Sequence, residues 1–379
     1  MNLSTRIGSL RLEHPFLLAS GPLSHNGEAI IRAHRAGAAA IVTKTISRAA
    51  AVDPIPNIVM ERAGTLLNAE RWSTLPPSAW IEHHLPIAKE SGAVVIASVG
   101  LTPPDVATLA APLEKAGADA LEVVSYDESV IEAMVGEAVS RVQIPVIAKI
   151  SVNWRDPIGA AVSCVAGGAA AVTASDSIGP ALRIDIESRR PLLGSASAWM
   201  SGRSLFPVAL HLVARLFAAL PPSVPIIGTG GVTSAENTIE MMMAGASAVG
   251  VCTLPILRGL STFAKAPERL ATRLAELGFA ASAACVGTAY LPDLTEPPTP
   301  SEQTSRLALA WHAEACRHCN RCVQLCPYGA RSSSDLRHVG PQCRRCGLCV
   351  SACPTGALSW TSQNGGKTPD LDPQQGDAR

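Results

Sequence analysis

The stretch VVIASVGLTPPDVATLAAPLEKAGADALEVV, residues 94–124, decides the fold. It opens on an apolar run, VVIASV (94–99), and passes through PDVATLAAPLEKAG (104–117), whose apolar residues fall at helical spacing and which closes on Gly117. It ends on a second apolar run, ALEVV (120–124). Two apolar runs joined by a helix make a βαβ unit. Strands that are apolar throughout, rather than alternating, belong to a parallel sheet covered on both faces.

Outward from this unit the same pattern recurs in FLLAS (16–20), AIVTKT (40–45), VIAKIS (146–151), AVTASD (171–176), PIIGTG (225–230) and AVGVC (248–252). Between them lie helix-like segments such as EAIIRAHRAG (28–37), IGAAVSCVAGG (158–168) and AENTIEMMMAGA (235–246). Eight strands alternating with helices read as an α/β fold, a (β/α)8 TIM barrel. An open doubly wound sheet is the rival, and it lacks a GxGxxG turn after the first strand. The two long spacings, 46–93 and 177–224, are rich in Pro or Ser and read as extended loops over the catalytic face.

The barrel is assigned to residues 1–290. A proline-rich linker follows at 291–306, then a small cysteine-rich domain at 307–360 and a polar, disordered tail at 361–379. The formal charge is zero, which gives no global reason to expect nucleic acid or an anionic membrane as partner. No apolar run reaches the roughly 18 residues of a membrane span, and MNLSTRIGSL has no signal-peptide core, so a soluble, cytoplasmic protein is expected.

Of eleven cysteines, only Cys164, Cys252 and Cys285 lie outside the C-terminal module. The other eight fall in CRHCNRCVQLCP (316–327) and CRRCGLCVSACP (343–354), each reading C-x2-C-x2-C-x3-C-P. Three thiolates two residues apart can wrap three irons of one cubane, while the fourth, displaced and followed by Pro, reaches the other cluster. Cys316, Cys319, Cys322 and Cys353 are therefore assigned to one 4Fe-4S cluster, and Cys343, Cys346, Cys349 and Cys326 to a second. Zinc sites and disulfides fit this density of thiols poorly. The module resembles a bacterial-type ferredoxin with two clusters. It carries Arg317, Arg321, Arg331, Arg337, Arg344 and Arg345 against one acid, Asp335. Such a face would suit an acidic carrier, a ferredoxin or flavodoxin.

A module that moves single electrons needs a centre that trades them for pairs, and flavin does this. GTGGV (228–232) and VCT (251–253) stand after strands seven and eight, where barrels hold phosphate, and Lys44 and Lys149 sit at the ends of strands two and five.

With LLASGP, VTKT, GADALEVVS, IPVIAKIS, GGAAAVTASDS, SGRSLFPVAL, IIGTGGVTSAE and AGASAVGVCT in order, the chain resembles the FMN barrel of the class I dihydroorotate dehydrogenases. It is most similar to the version in dihydropyrimidine dehydrogenase, which also carries a two-cluster module. By that resemblance Ala19, Ser20, Lys44, Thr45, Lys149, Gly202, Gly230, Gly231, Cys252 and Thr253 would line the FMN site.

The chain departs from the family after strand four, where Val124 stands in place of an Asn, the loop is short and the usual catalytic cysteine is absent. After strand six an Asn-Thr pair is replaced by Asp176-Ser177. A carboxylate only accepts hydrogen bonds, whereas an amide also donates, so the fit to a pyrimidine weakens. Tyr126 and Asp127 fall where the proton-transferring group would be, with Asp176 as the next candidate. Asn153 and the pair His83 and His84 are further polar residues near the catalytic face, and Cys164 reads as core.

The sequence therefore predicts an FMN- and iron-sulfur-dependent oxidoreductase acting at a C–C bond of a small molecule. Its electrons would pass to an acidic carrier or a flavoprotein subunit, and a homo-oligomer is compatible with the sequence. The alternatives are a dihydropyrimidine dehydrogenase subunit and a non-catalytic electron-transfer subunit.

Overall fold

A computed structural model describes residues 1–61, 64–289, 291 and 307–362. The chain divides into two compact units, Met1–Pro292 and Asp293–Arg379. In the first, eight parallel strands close into a barrel in chain order. They are β1 (Phe16–Leu18), β2 (Ala40–Val42), β3 (Val95–Val99), β4 (Ala120–Val123), β5 (Val146–Ile150), β6 (Ala171–Ala174), β7 (Ile226–Thr229) and β8 (Ala248–Val251). Closure is made by β8 on β1, with Val249 opposite Phe16. The eight apolar runs of the sequence are these eight strands. Every residue of β2, β3, β4, β5, β6 and β8 is buried, which is why the runs do not alternate.

One end of the barrel is filled by the hairpin of strands Thr5–Ile7 and Leu10–Leu12. Its Ile7 and Leu12 are buried against Leu17, Ile96 and Ile147 and against Ala40, Ala120, Ala171 and Ala248, small residues at the starts of alternate strands. Burying each large side chain there contributes about 1.5–3 kcal/mol. The hairpin closes the N-terminal mouth and leaves chemistry to the other end.

The helix after β3, α1 here (Pro103–Lys115), begins where the sequence says it should: Thr102 and Asp105 form a capping box, and Pro103 occupies the first turn. Asp105 also accepts from the Arg48 N–H at 2.9 Å, tying the helix start to the loop after β2.

The two long spacings differ from the loops expected of them. Ile58–Glu61 and Thr65–Asn68 from the first pair with Ala198–Gly202 and Ile178–Ala181 from the second in a four-stranded antiparallel sheet. Leu67, Ala69, Leu193 and Ala198 form its own small core. Each strand is short, and the two local pairs are joined into one sheet only where Trp199 lies opposite Asn68 and Gly202 opposite Thr65, across the two insertions, so no local pattern announces the sheet.

In the second unit, Leu307–Trp311 pairs antiparallel with Leu358–Ser362, and two short helices, Arg321–Gln324 and Leu348–Ser351, lie within the two cysteine runs, each carrying the third cysteine of its run. The closing strand extends two residues into the segment read as tail. The remainder of that segment, 363–379, lies outside the described residues, as does the linker 291–306 apart from Leu291. Among the described residues no helix is long and apolar enough to cross a membrane.

Candidate functional site

At the C-terminal ends of the strands lie two adjoining cavities that share Ser20, Asn68, Lys149, Asp176 and Trp199, so they form one cleft. All ten residues expected to line a flavin site are in its walls. Ala19, Ser20, Lys149, Gly202, Gly230, Gly231, Cys252 and Thr253 surround the first cavity, and Lys44 and Thr45 the second. Gly230 and Gly231 take φ of 126° and 73°. A Cβ on Gly231 would stand 2.6 Å from the Phe206 nitrogen, so only glycine lets the backbone wall the cavity there.

The floor of the cleft is charged. Lys149 Nζ lies 3.7 Å from Glu122 and 3.8 Å from Asp176, with the lysine and Glu122 side chains only 9% and 3% exposed. Burial alone would discharge the ammonium, but Asp176 and Glu122 outweigh it and hold its pKa above that of an ordinary lysine. Both separations exceed hydrogen-bonding reach, so the ammonium is held by charge while its N–H donors are not spent on either carboxylate. Glu122 accepts instead from the Thr173 hydroxyl at 2.9 Å. Lys44 is different: it makes a direct 2.7 Å contact with Glu70, which also accepts from Asn68. Burial pushes the Cys252 thiol up to about 11, against the pull of Lys149 and Lys44.

The three candidate proton-transfer residues separate. Asp176 lines both cavities, and Tyr126 lines the second. The Tyr126 ring stacks on Trp199 at 5.2 Å and 11°. Half of its surface stays open to solvent, but burial of the face against Trp199, then the charge of Asp176, push the phenol up to about 12. Asp127 turns away: its carboxylate accepts from the Ser129 N–H and hydroxyl at 2.9 and 2.7 Å and caps the turn Glu128–Val130. It is exposed and lines neither cavity, which corrects its placement among catalytic candidates. Asn153 is spent on Ser151, Ser177 and Gly179, bracing the loop after β6. His83 and His84 belong to a π-helical turn, Trp80–His84, and Cys164 is buried in the core.

Glu70, Glu122, Asn68 and Trp199 are site residues that the sequence reading did not single out. Glu122 had a signal, a lone acid inside the apolar run ALEVV. The other three come from the paired insertions and had none.

A flavin with its phosphate fits these residues. The Thr229 hydroxyl, in the wall beside Gly230, is buried without a hydrogen-bond partner, and the ammonium of Lys149 has unspent donors. Both await an acceptor-rich ligand.

In the second unit the two cysteine runs fold alike. His318 and Asn320 in one, Arg345 and Gly347 in the other, take positive φ at matching positions, curling each backbone around its thiols. The Arg345 N–H reaches Cys343 Sγ at 3.4 Å. All eight cysteines are free. Four thiolates within eleven residues, twice over, are a donor set that suits a larger inorganic core than a single zinc. The basic face is smaller than the sequence implied. Arg331 is buried and donates to the Leu336 carbonyl at 2.7 Å, and Arg337 lies over the Trp311 ring at 5.1 Å. Arg317, Arg321, Arg337, Arg344 and Arg345 are exposed.

Comparison with known proteins gives the same two parts. A family described as dihydroorotate dehydrogenase matches residues 106–274, and one described as 4Fe-4S dicluster domain matches residues 309–354. The catalytic subunit of dihydroorotate dehydrogenase B (NAD(+)) of Thermoplasma acidophilum is 33% identical over 276 residues, 69% of this chain and 90% of that one. The corresponding subunit of Methanosarcina mazei is 37% identical over 259 residues, 64% of this chain and 81% of its own. That of Methanothermobacter thermautotrophicus is 29% identical over 306 residues, 76% and 98%.

Proposed function

Since the chain belongs to the dihydroorotate dehydrogenase family, flavin-dependent oxidoreductases acting on CH–CH groups, we propose that its barrel cleft holds FMN and exchanges two electrons with a small organic substrate. The observation that carries this reading is the convergence on one cleft of Lys149, Asp176 and Tyr126 with the Gly230–Gly231 and Cys252–Thr253 turns. When bound, FMN supplies the hydride chemistry and the change between paired and single electrons. Ala19, Ser20, Gly202, Gly230, Gly231, Cys252 and Thr253 would hold it in the first cavity, with Lys44, Thr45 and Lys149 on the side shared with the second.

The protein's own part is charge and protons. Lys149, kept cationic by Asp176 and Glu122, sets a fixed positive charge where water is scarce, and such preorganised charge is typically the largest catalytic effect. Tyr126 stays protonated through the neutral range and serves as the acid in the reducing direction, with Asp176 as the carboxylate that exchanges its proton. In the second unit the eight cysteines would hold two 4Fe-4S clusters, which when bound would supply single-electron transfer.

The relatives are named as catalytic subunits, which supports a flavoprotein partner subunit for this chain. The exposed Arg317, Arg321 and Arg344 equally suit an acidic carrier. Dihydroorotate is the substrate the relatives' names point to. One observation favours a second reading: Leu101 and Val124 line the substrate end of the cleft, where a pyrimidine would need amide partners at about 1–3 kcal/mol each. The finer likeness to dihydropyrimidine dehydrogenase rests on the cysteine module following the barrel in one chain.

The test is anaerobic mixing of the cluster-loaded protein with dihydroorotate or dihydrouracil while flavin absorbance is followed. Bleaching by dihydroorotate supports the first substrate reading, bleaching by dihydrouracil the dihydropyrimidine dehydrogenase alternative, and bleaching by neither a substrate without the pyrimidine ring. Protein that holds its clusters but binds no FMN would overturn the catalytic reading in favour of an electron-transfer subunit.

A further inference from the structure

We propose that Glu28, His83 and His84 form a binding site for a borderline divalent metal ion of the zinc class. None of the three lines the cleft. They come from two separate elements, the helix Gly27–Arg35 that follows β1 and the π-helical turn Trp80–His84 that precedes β3.

One ligand atom from each lies within 4.8 Å of the others, the one such grouping of three or more among the described residues. His83 Nε2 is 3.6 Å from one carboxylate oxygen of Glu28, and His84 Nδ1 is 3.7 Å from the other. Both separations exceed hydrogen-bond reach. They are close to the ~3.3 Å between donors that share a tetrahedral ion at bonds of ~2.0–2.1 Å.

His84 Nδ1 is buried and has no hydrogen-bond partner, a vacancy that an N–H···O contact would ordinarily fill. Its ring is braced edge-on against the fully buried Trp80 at 5.5 Å, and the His83 ring lies 4.9 Å away. Neighbouring residues of an ordinary helix point well apart. Here the two lie in a π-helical turn, a feature frequent at functional sites, and both address one carboxylate. Two imidazoles and a carboxylate select zinc, cobalt or nickel over magnesium and calcium, which prefer all-oxygen sites. The remaining positions would be water, with His25 nearby as a further donor, its Nδ1 already engaged by the Pro22 carbonyl at 2.8 Å. The ion would pin the first barrel helix to the element before β3.

The experiment uses full-length protein with clusters and flavin in place, stripped with EDTA and titrated calorimetrically with zinc chloride alone, iron content being followed as a control. The expected result is one zinc equivalent in the wild type, weakened by about tenfold or more in Glu28→Gln and His84→Gln, the scale at which even indirect supports of a metal site are felt. His83→Ala, at an exposed position, guards against misfolding: zinc should raise the melting temperature of the wild type and not of this variant. Absence of a zinc equivalent in the wild type, or equal affinity in wild type and His83→Ala, overturns the site.

Discussion

The barrel cleft and the cysteine module assemble their sites in opposite ways. The module's ligands lie in two runs of eleven residues, and local backbone turns at matching positions bring them together. The cleft draws Ala19, Lys44, Lys149, Gly230 and Thr253 from five different strand ends, so nothing holds them together except closure of the barrel. Injury to a ligand should therefore stay local in the module and spread in the cleft.

The sharpest way to break that contrast is to remove a cluster ligand. In Cys349→Ala, iron should fall from about eight per chain to about seven or, where the whole cubane is lost, towards about four, because the iron left without its thiolate is open to solvent and leaves first. Flavin content and the melting of the barrel should not change. Iron, sulfide and flavin counts on one sample check this, and flavin lost together with iron would show that the two units depend on each other.

In the cleft the corresponding change is Lys149→Met. Glu122, with a side chain 3% exposed, then loses its cation, and breaking a buried pair from one side costs about 3–5 kcal/mol. Loss of a preorganised charge also lowers turnover by about 10²–10³. The double variant Lys149→Met/Glu122→Gln separates the two effects: the urea midpoint should recover and turnover should not.

The same contrast governs what the sequence made legible. A ligand set defined by local spacing, Cys316 to Cys326 and Cys343 to Cys353, can be read by counting. The barrel was legible because its strands are buried on both faces nearly throughout and so stand out as continuous apolar runs. The polar surroundings of the cleft were only half legible. Gly230, Gly231 and the two lysines sit at strand ends, a fixed place in this fold, whereas Glu70 and Trp199 reach the cleft through a sheet formed by two insertions that meet only in three dimensions. Asp127 shows the converse failure, a residue at the right point along the chain whose carboxylate is consumed by the cap of its own turn.

Tyr126 and Asp127, adjacent in sequence, sharpen this to single residues. Tyr126→Phe should reduce turnover by about 10²–10⁴ if the phenol is the acid, with the stacking on Trp199 kept. Asp127→Ala should leave turnover unchanged and lower stability by about 0.5–2 kcal/mol, the worth of a cap. The pH dependence has a definite sign. The phenol's value rises from 10.0 to about 12 in the folded protein, so the proton is held more tightly there than in the unfolded chain. Its contribution to stability is complete below pH 10 and is lost as pH climbs through 10 towards 12. Alkaline unfolding of Tyr126→Phe should lack that segment.

The smallest effect is expected at Thr229, and its value lies in sign. The hydroxyl is buried without a partner beside Gly230, and Val has nearly the same shape. Without flavin, Thr229→Val removes an unsatisfied polar group and should raise stability or leave it unchanged. With flavin, it removes a hydrogen bond of about 0.5–1.5 kcal/mol, which raises the Kd for FMN by about two- to tenfold. Opposite signs in the two states can arise only if the hydroxyl is aimed at the ligand. Melting curves with and without FMN measure both, and a shift of the same sign in each would return Thr229 to the core of the barrel and leave the cleft with one donor fewer.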